Sequence, residues 1–157
     1  MNHSSVRRFM YQNIQMNPTS LTERITVRVR FDEVDSLGIV WHGNYVKYLE
    51  DGREAWGRKF GIPYMTLYHT HGYAVPLVKL NMEFKQPLKY DDVFTVETRY
   101  VDCPAAKLIL HYTIYNAHEE VVLTAESVQV FLSKETNQME LNVPDFFCAW
   151  KQIFLPS

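Results

Sequence analysis

Near residue 44 the hydrophobic period of this chain changes, and that change restricts its fold more than any other feature. Before it, Ile25, Val27, Val29 and Phe31 alternate with Thr26, Arg28, Arg30 and Asp32. Successive side chains of a strand point to opposite faces, so strict alternation describes a half-buried strand. After it, Tyr45, Tyr48, Leu49, Gly52, Trp56 and Phe60 recur at three- and four-residue intervals, the pattern of an amphipathic helix. Asn44 stands where an N-cap is expected, and Gly61 followed by Pro63 ends the helix. Gly52 inside the helix costs about 1 kcal/mol relative to alanine, which predicts close approach of the helix to a sheet.

Alternation then returns. Val78, Leu80, Met82 and Phe84 are interleaved with Lys79, Asn81, Glu83 and Lys85. Residues 92–102, 106–116 and 120–133 are rich in β-branched, aromatic and leucine side chains. Pro87 with Tyr90 and Asp91, then Pro104, then Asn116 to Glu119 mark the turns between them. A last helix is expected from Pro144, with Phe146, Phe147, Trp150, Ile153 and Phe154 as its apolar face. One strand, one long helix and four further strands is not a βαβ alternation. It predicts an α+β fold in which an antiparallel sheet curves around a single helix. The length of 157 residues suits one domain over 21–157, ending in a helix near 144–154. Residues 1–20 are polar and are expected to form a mobile arm.

Several function classes lose support on composition. With a net charge of −2 and a pI near 6.3, the chain has no general attraction for nucleic acid or anionic membranes. Cys103 and Cys148 stand alone, as in a reduced compartment. No apolar run reaches the length of a membrane span, and the N-terminal stretch lacks the apolar centre of a cleaved signal. A cytoplasmic location follows as the expectation. His69 and His71 resemble half of a metal site, but no Cys or His-Glu-x-x-His partner accompanies them, so no metal is expected. The chain also lacks a P-loop, a dinucleotide glycine fingerprint and the G-x-S-x-G elbow of serine esterases.

Chemistry concentrates in the segment from Phe31 to Tyr45, which runs directly into the helix. It places Asp35, Gly38, His42, Gly43 and Asn44 in a loop at a helix N-terminus, where free backbone N–H groups favour developing negative charge. A carboxylate beside such donors can attack a carbonyl, or activate water to do so, while the amides hold the oxyanion. That is a workable acyl-transfer site.

The same segment closely resembles the 4-hydroxybenzoyl-CoA thioesterase family, including the acyl-CoA thioesterases of bacterial Tol-Pal operons. Asp35, Gly38, Val40, His42, Asn44, Tyr45 and Glu50 match in spacing, and Gln86-Pro87 with Tyr90-Asp91-Asp92 match further on. The resemblance covers residues 24–133 and implies a hotdog fold, a curved antiparallel sheet wrapped around one long helix. It implies hydrolysis of an acyl-CoA thioester, with Asp35 as nucleophile or general base and the amides from His42 to Asn44 as oxyanion hole. Asp32 and Glu33 are passed over by the pattern and are expected to close the strand into solvent.

Glu50 either assists the site or is a helix-surface charge. Tyr45, Tyr48 and Trp56 fit core packing and an acyl pocket alike. Trp41, Lys79, Lys85 and Lys89 are candidate substrate contacts, the lysines towards the CoA phosphates, although solvated strand edges account for them more simply. No cofactor is implied, because CoA is part of the substrate. The resemblance further implies a homodimer or homotetramer with sites at the subunit interface, formed through the strand near Val75 to Lys85. Two other functions fit the fold: a non-catalytic acyl-CoA sensor, and a 3-hydroxyacyl thioester dehydratase, which would need a different Asp and His pattern.

Overall fold

The first strand pairs far along the chain. In the computed structural model, which describes residues 21–155, β1 (Thr22–Arg28) lies antiparallel to β4 (Val93–Val101), with Ile25 opposite Val96 and Val27 opposite Phe94. β4 continues to β5 (Lys107–Tyr115), β5 to β6 (Val121–Val130), and β6 to β3 (Leu77–Phe84). The five strands therefore form one antiparallel sheet in the order β1-β4-β5-β6-β3, as the alternation predicts. β1 and β3 are its two edges.

The long helix α1 spans Tyr45–Lys59 and lays Tyr48, Leu49, Gly52 and Trp56 on the sheet. Gly52 explains itself here. A Cβ at that position would fall 2.7 Å from Thr98 Oγ1 and 2.7 Å from Val96 Cγ1, so only glycine lets the helix come this close to β4. The closing helix α3 (Asp145–Phe154) covers the far end of α1 with Phe147, Trp150 and Phe154. Ile153 was expected on that apolar face but is about half exposed; only three of the five expected positions are fully buried.

Two elements have no counterpart in the sequence pattern. A six-residue helix α2 (Tyr64–His69) follows α1, and a two-residue strand β2 (Tyr73–Ala74) pairs with β7 (Leu132–Ser133) in a separate ribbon. The expected strand over 120–133 is thus divided between two sheets. Elements this short carry too few residues for a period to register. The expected mobile arm, residues 1–20, lies outside the described residues.

Candidate active site

The loop after β1 is built by paired backbone rather than by packing. A 3₁₀ turn at Phe31–Glu33 ends the strand, and Val34 then bridges Val40 across a tight reversal. Asp35 N–H donates to the Ile39 carbonyl (2.9 Å), and Gly38 N–H donates to the Asp35 carbonyl (3.0 Å). Gly38 has φ of 75°, a left-handed conformation that favours glycine. One carboxylate oxygen of Asp35 accepts the Leu37 N–H (2.8 Å). On the other side, Val40 N–H donates to the Leu88 carbonyl (2.8 Å) and Ile39 bridges Lys89. Asp35 is therefore half-buried on a loop held at both flanks.

A second 3₁₀ turn, His42–Asn44, leads into α1. Its donors are divided unequally. Trp41 N–H donates to the Glu33 carbonyl (3.0 Å) and Asn44 N–H to the Trp41 carbonyl (2.9 Å). The amides of His42 and Gly43 meet no acceptor among the described residues. No acidic side chain occupies the first turn of α1. Two unpaired donors at a helix entrance, with no internal anion to neutralise them, form an anion-attracting position. Gly43 lies against the indole of Trp41, whose ring carbons an added Cβ would strike.

One expectation here holds in part and another needs correction. Asn44 stands at the N-cap position of α1, as expected, but without a side-chain capping bond. Its buried Nδ2 donates instead to the Glu33 carbonyl (2.8 Å). Glu33 does not face solvent. It is 9% exposed, and its carboxylate accepts the Arg30 N–H at 2.7 Å. One buried residue thus ties the strand end, the Asp35 loop and the helix entrance together. The signal was present in the spacing, since an acid three residues after a turn start can reach back to the N–H there.

Asp35, His42 and Tyr45 line one side of a cleft of about 300 Å³, and Phe84, Lys85, Gln86 and Pro87 line the other. The Tyr45 hydroxyl accepts the Leu88 N–H (3.3 Å) and so joins α1 to the far wall. Burial raises its pKa, which keeps it neutral. Lys85 borders the cleft but its Nζ is 2.9 Å from Glu83. Lys79 lies 4.0 Å from Glu126 on the sheet, and Lys89 is exposed beside the loop. Trp41 is half exposed and covers the turn rather than lining the cleft. Glu50 lies outside the cleft lining, within reach of Arg53 (3.6 Å) and the Tyr64 hydroxyl (3.4 Å).

A larger hollow of about 540 Å³ runs along the β1 edge, where Arg28 is already paired with Asp91 at 3.1 Å. The one carboxylate among its lining residues, Asp91, is engaged in that pair. His71 stacks on the Phe146 ring, 4.3 Å between centroids.

Known proteins extend this picture. The sequence pattern of the thioesterase-like superfamily matches residues 29–151. YneP of Bacillus subtilis, a provisionally named acyl-CoA thioesterase, is 32% identical over 129 residues, covering 80% of this chain and 93% of its own. The 4-hydroxybenzoyl-CoA thioesterase of a Pseudomonas strain is 25% identical over 124 residues, covering 74% of this chain and 88% of its own. Among solved structures, a DHNA-CoA thioesterase from Staphylococcus aureus superposes with a TM-score of 0.75 at 22% identity, over 85% of this chain and 88% of the other. With the pattern spanning most of the chain and the sheet-around-helix architecture in common, this protein belongs to the thioesterase-like superfamily and has its hotdog fold.

Proposed function

We propose that this chain hydrolyses acyl-CoA thioesters to the free acid and CoA, with Asp35 as nucleophile or general base. One observation carries the reading: Asp35 and His42 border a single cleft at the entrance of α1, where the His42 and Gly43 amides have no acceptor. A thioester carbonyl in that cleft places its oxygen at the two amides and its carbon before the carboxylate. Attack builds negative charge on that oxygen, and donors already fixed in place stabilise it without reorganising. As a general base, Asp35 takes a proton from water as the water oxygen bonds to the carbonyl carbon. As a nucleophile, it forms a mixed anhydride that water then cleaves. In both routes the C–S bond breaks and CoA leaves as the thiolate, which takes up a proton. No cofactor enters either route.

The relatives' names support the substrate class, and the chain's own acyl preference follows from its pocket rather than from theirs. The working unit in this reading is a homodimer, or a homotetramer built from two such dimers, paired through β3. That strand is an edge with Leu77, Val78 and Phe84 exposed, an arrangement that favours pairing with a second copy. Phe84 also borders the cleft, so such a partner would close over the site.

Thiol release from a panel of acyl-CoA thioesters tests the activity. Wild type should release thiol, and Asp35→Asn should do so slower by roughly 10²-fold or more. Absence of turnover on every thioester in the panel would defeat the reading. Light scattering on the active protein tests the assembly, and an active monomer would overturn it.

A further inference from the structure

The Asp35 carboxylate and the free amides of His42 and Gly43 lie on different segments, yet their separation decides whether they act together. Glu33 is joined to both segments. It precedes Asp35 by two positions and stands opposite Trp41 in the reversal that the Val34–Val40 bridge closes. Its carbonyl accepts the Trp41 N–H (3.0 Å) and a hydrogen of Asn44 Nδ2 (2.8 Å). Trp41 and Asn44 bracket His42 and Gly43 in sequence. The turn that carries the free amides is therefore held at both ends by one oxygen.

The Glu33 side chain sits where a charge is unfavourable. It is buried, and among the described residues no cation stands within ion-pair distance of its carboxylate. Towards α1 it faces the Tyr48 hydroxyl, which is buried and has no hydrogen-bond partner among the described residues. Burial, and after it the Glu33 carboxylate, raise the pKa of that hydroxyl, so it stays a neutral O–H. Taking a carboxylate out of water without a cation is unfavourable, and an apolar side chain in its place need not lower stability. Stability alone therefore gives no reason for an acid at this position. The acid does make one short bond, accepting the Arg30 N–H at 2.7 Å. A charge-assisted bond of this kind is roughly twice as strong as a neutral one. It closes the 3₁₀ turn Phe31–Glu33 on itself, and so fixes the direction of the Glu33 carbonyl.

Building on the acyl-CoA reading above, we infer that Glu33 is a positioning residue that sets the distance between the Asp35 carboxylate and the His42 and Gly43 amides. The hold runs from its carboxylate to the Arg30 N–H, and from its carbonyl to Trp41 and Asn44 on either side of those amides. Glu33 does not line the cleft, so it acts only through the groups it holds. Misplacing reacting groups by about 1 Å can cost roughly 10²-fold in rate, which gives such a hold its effect. The role requires an acceptor of the right reach, and the charge strengthens the bond that acceptor makes.

The test uses two substitutions that keep the length of the side chain. Glu33→Met removes both acceptor and charge, whereas Glu33→Gln keeps an acceptor oxygen. On a CoA thioester that wild type hydrolyses, kcat of Glu33→Met should fall about 10-fold or more while KM stays within about twofold. Its thermal midpoint should stay at or above that of wild type, which a purely structural role does not combine with a slower kcat. Glu33→Gln should bring kcat back to within about threefold of wild type. Glu33 and Asn44 act through one carbonyl, so Glu33→Met combined with Asn44→Ala should be about as slow as the slower single variant. Near-normal kcat in Glu33→Met, a Glu33→Gln as slow as Glu33→Met, or losses that multiply in the double variant would each overturn the role. A Glu33→Met chain that does not fold overturns it as well, because the acid would then serve the fold. Any of these beside normal turnover by wild type removes this inference alone. No turnover by wild type on any thioester removes the hydrolase reading and this role with it.

Discussion

The two ends of α1 are built by opposite rules. At its C-terminal end, Trp56 and Phe60 meet Trp150 and Phe154, with ring centroids 5.4–5.8 Å apart across the helix and between the helices. Tyr100 and Phe147 complete the wall. Each indole N–H there has a partner, Trp56 on the Leu21 carbonyl (3.0 Å) and Trp150 on the Phe60 carbonyl (2.8 Å). At its N-terminal end, two amides lack acceptors, a carboxylate is half-buried and the loop is held mainly by backbone bonds. The closed end anchors the helix. The open end can then keep unsatisfied donors in a fixed place, which is what stabilising a transient oxyanion requires.

If that division of labour is right, substitutions at the two ends should separate rate from stability. Asp35→Asn removes the anionic oxygen at nearly constant shape, and kcat should fall by roughly 10²–10⁴ or more. Its melting curve should match wild type, because the carboxylate has a single backbone hydrogen bond that an amide oxygen can replace. Near-normal kcat in a stable Asp35→Asn protein would break the comparison at its open end. Trp150→Ala should do the reverse. Loss of a large buried aromatic costs about 3–5 kcal/mol, read as a lower denaturation midpoint, while kcat per folded molecule stays near wild type. A selective loss of kcat there, without loss of stability, would show that the far end takes part in chemistry.

Asn44→Ala should fall between these extremes. It removes the donor that holds the turn to the Glu33 carbonyl, a buried bond whose loss costs about 1–3 kcal/mol. Because that bond fixes the turn carrying the free amides, kcat should drop by about tenfold while KM moves little, with a measurable fall in stability. If stability falls and kcat does not, Asn44 holds the fold and not the oxyanion position.

The same contrast governs what could be read from sequence. The closed end was legible because periodic burial writes itself into residue spacing: Tyr48, Leu49, Gly52 and Trp56 all lie where the helical pattern puts them. Even Gly52 announced the close approach to β4. The open end was legible through its motif, but not in its wiring. Alternation through Phe31 implied a strand to that point, whereas β1 ends at Arg28 and Phe31 is 78% exposed. That break turns Glu33 inwards and gives Asn44 a carbonyl to hold. Arg53 was overlooked because a charged residue reads as helix surface. Its spacing, four after Leu49 and three before Trp56, placed it beside the buried stripe all along.

The smallest predicted effect tests whether the closed end depends on charge as well as on rings. Asp102, just beyond β4, accepts Lys151 Nζ of α3 (2.9 Å) and the Tyr100 hydroxyl (3.0 Å). Chiefly through the Lys151 hydrogen bond, its pKa is held below the ordinary aspartate value of 3.8. The unfolded chain therefore binds the proton more readily than the folded one, and stability from this group rises with pH across the interval between the two values. It is fully present above 3.8 and is lost as pH falls through the lowered folded value. Asp102 is more than half exposed, so solvent screening limits the contribution to under about 1 kcal/mol. Asp102→Asn should accordingly lower the thermal midpoint slightly at neutral pH, converge on wild type as the medium becomes acid, and leave kcat unchanged. A deficit that persists undiminished in acid would mean that the substitution disturbs packing between β4 and α3 rather than an ion pair.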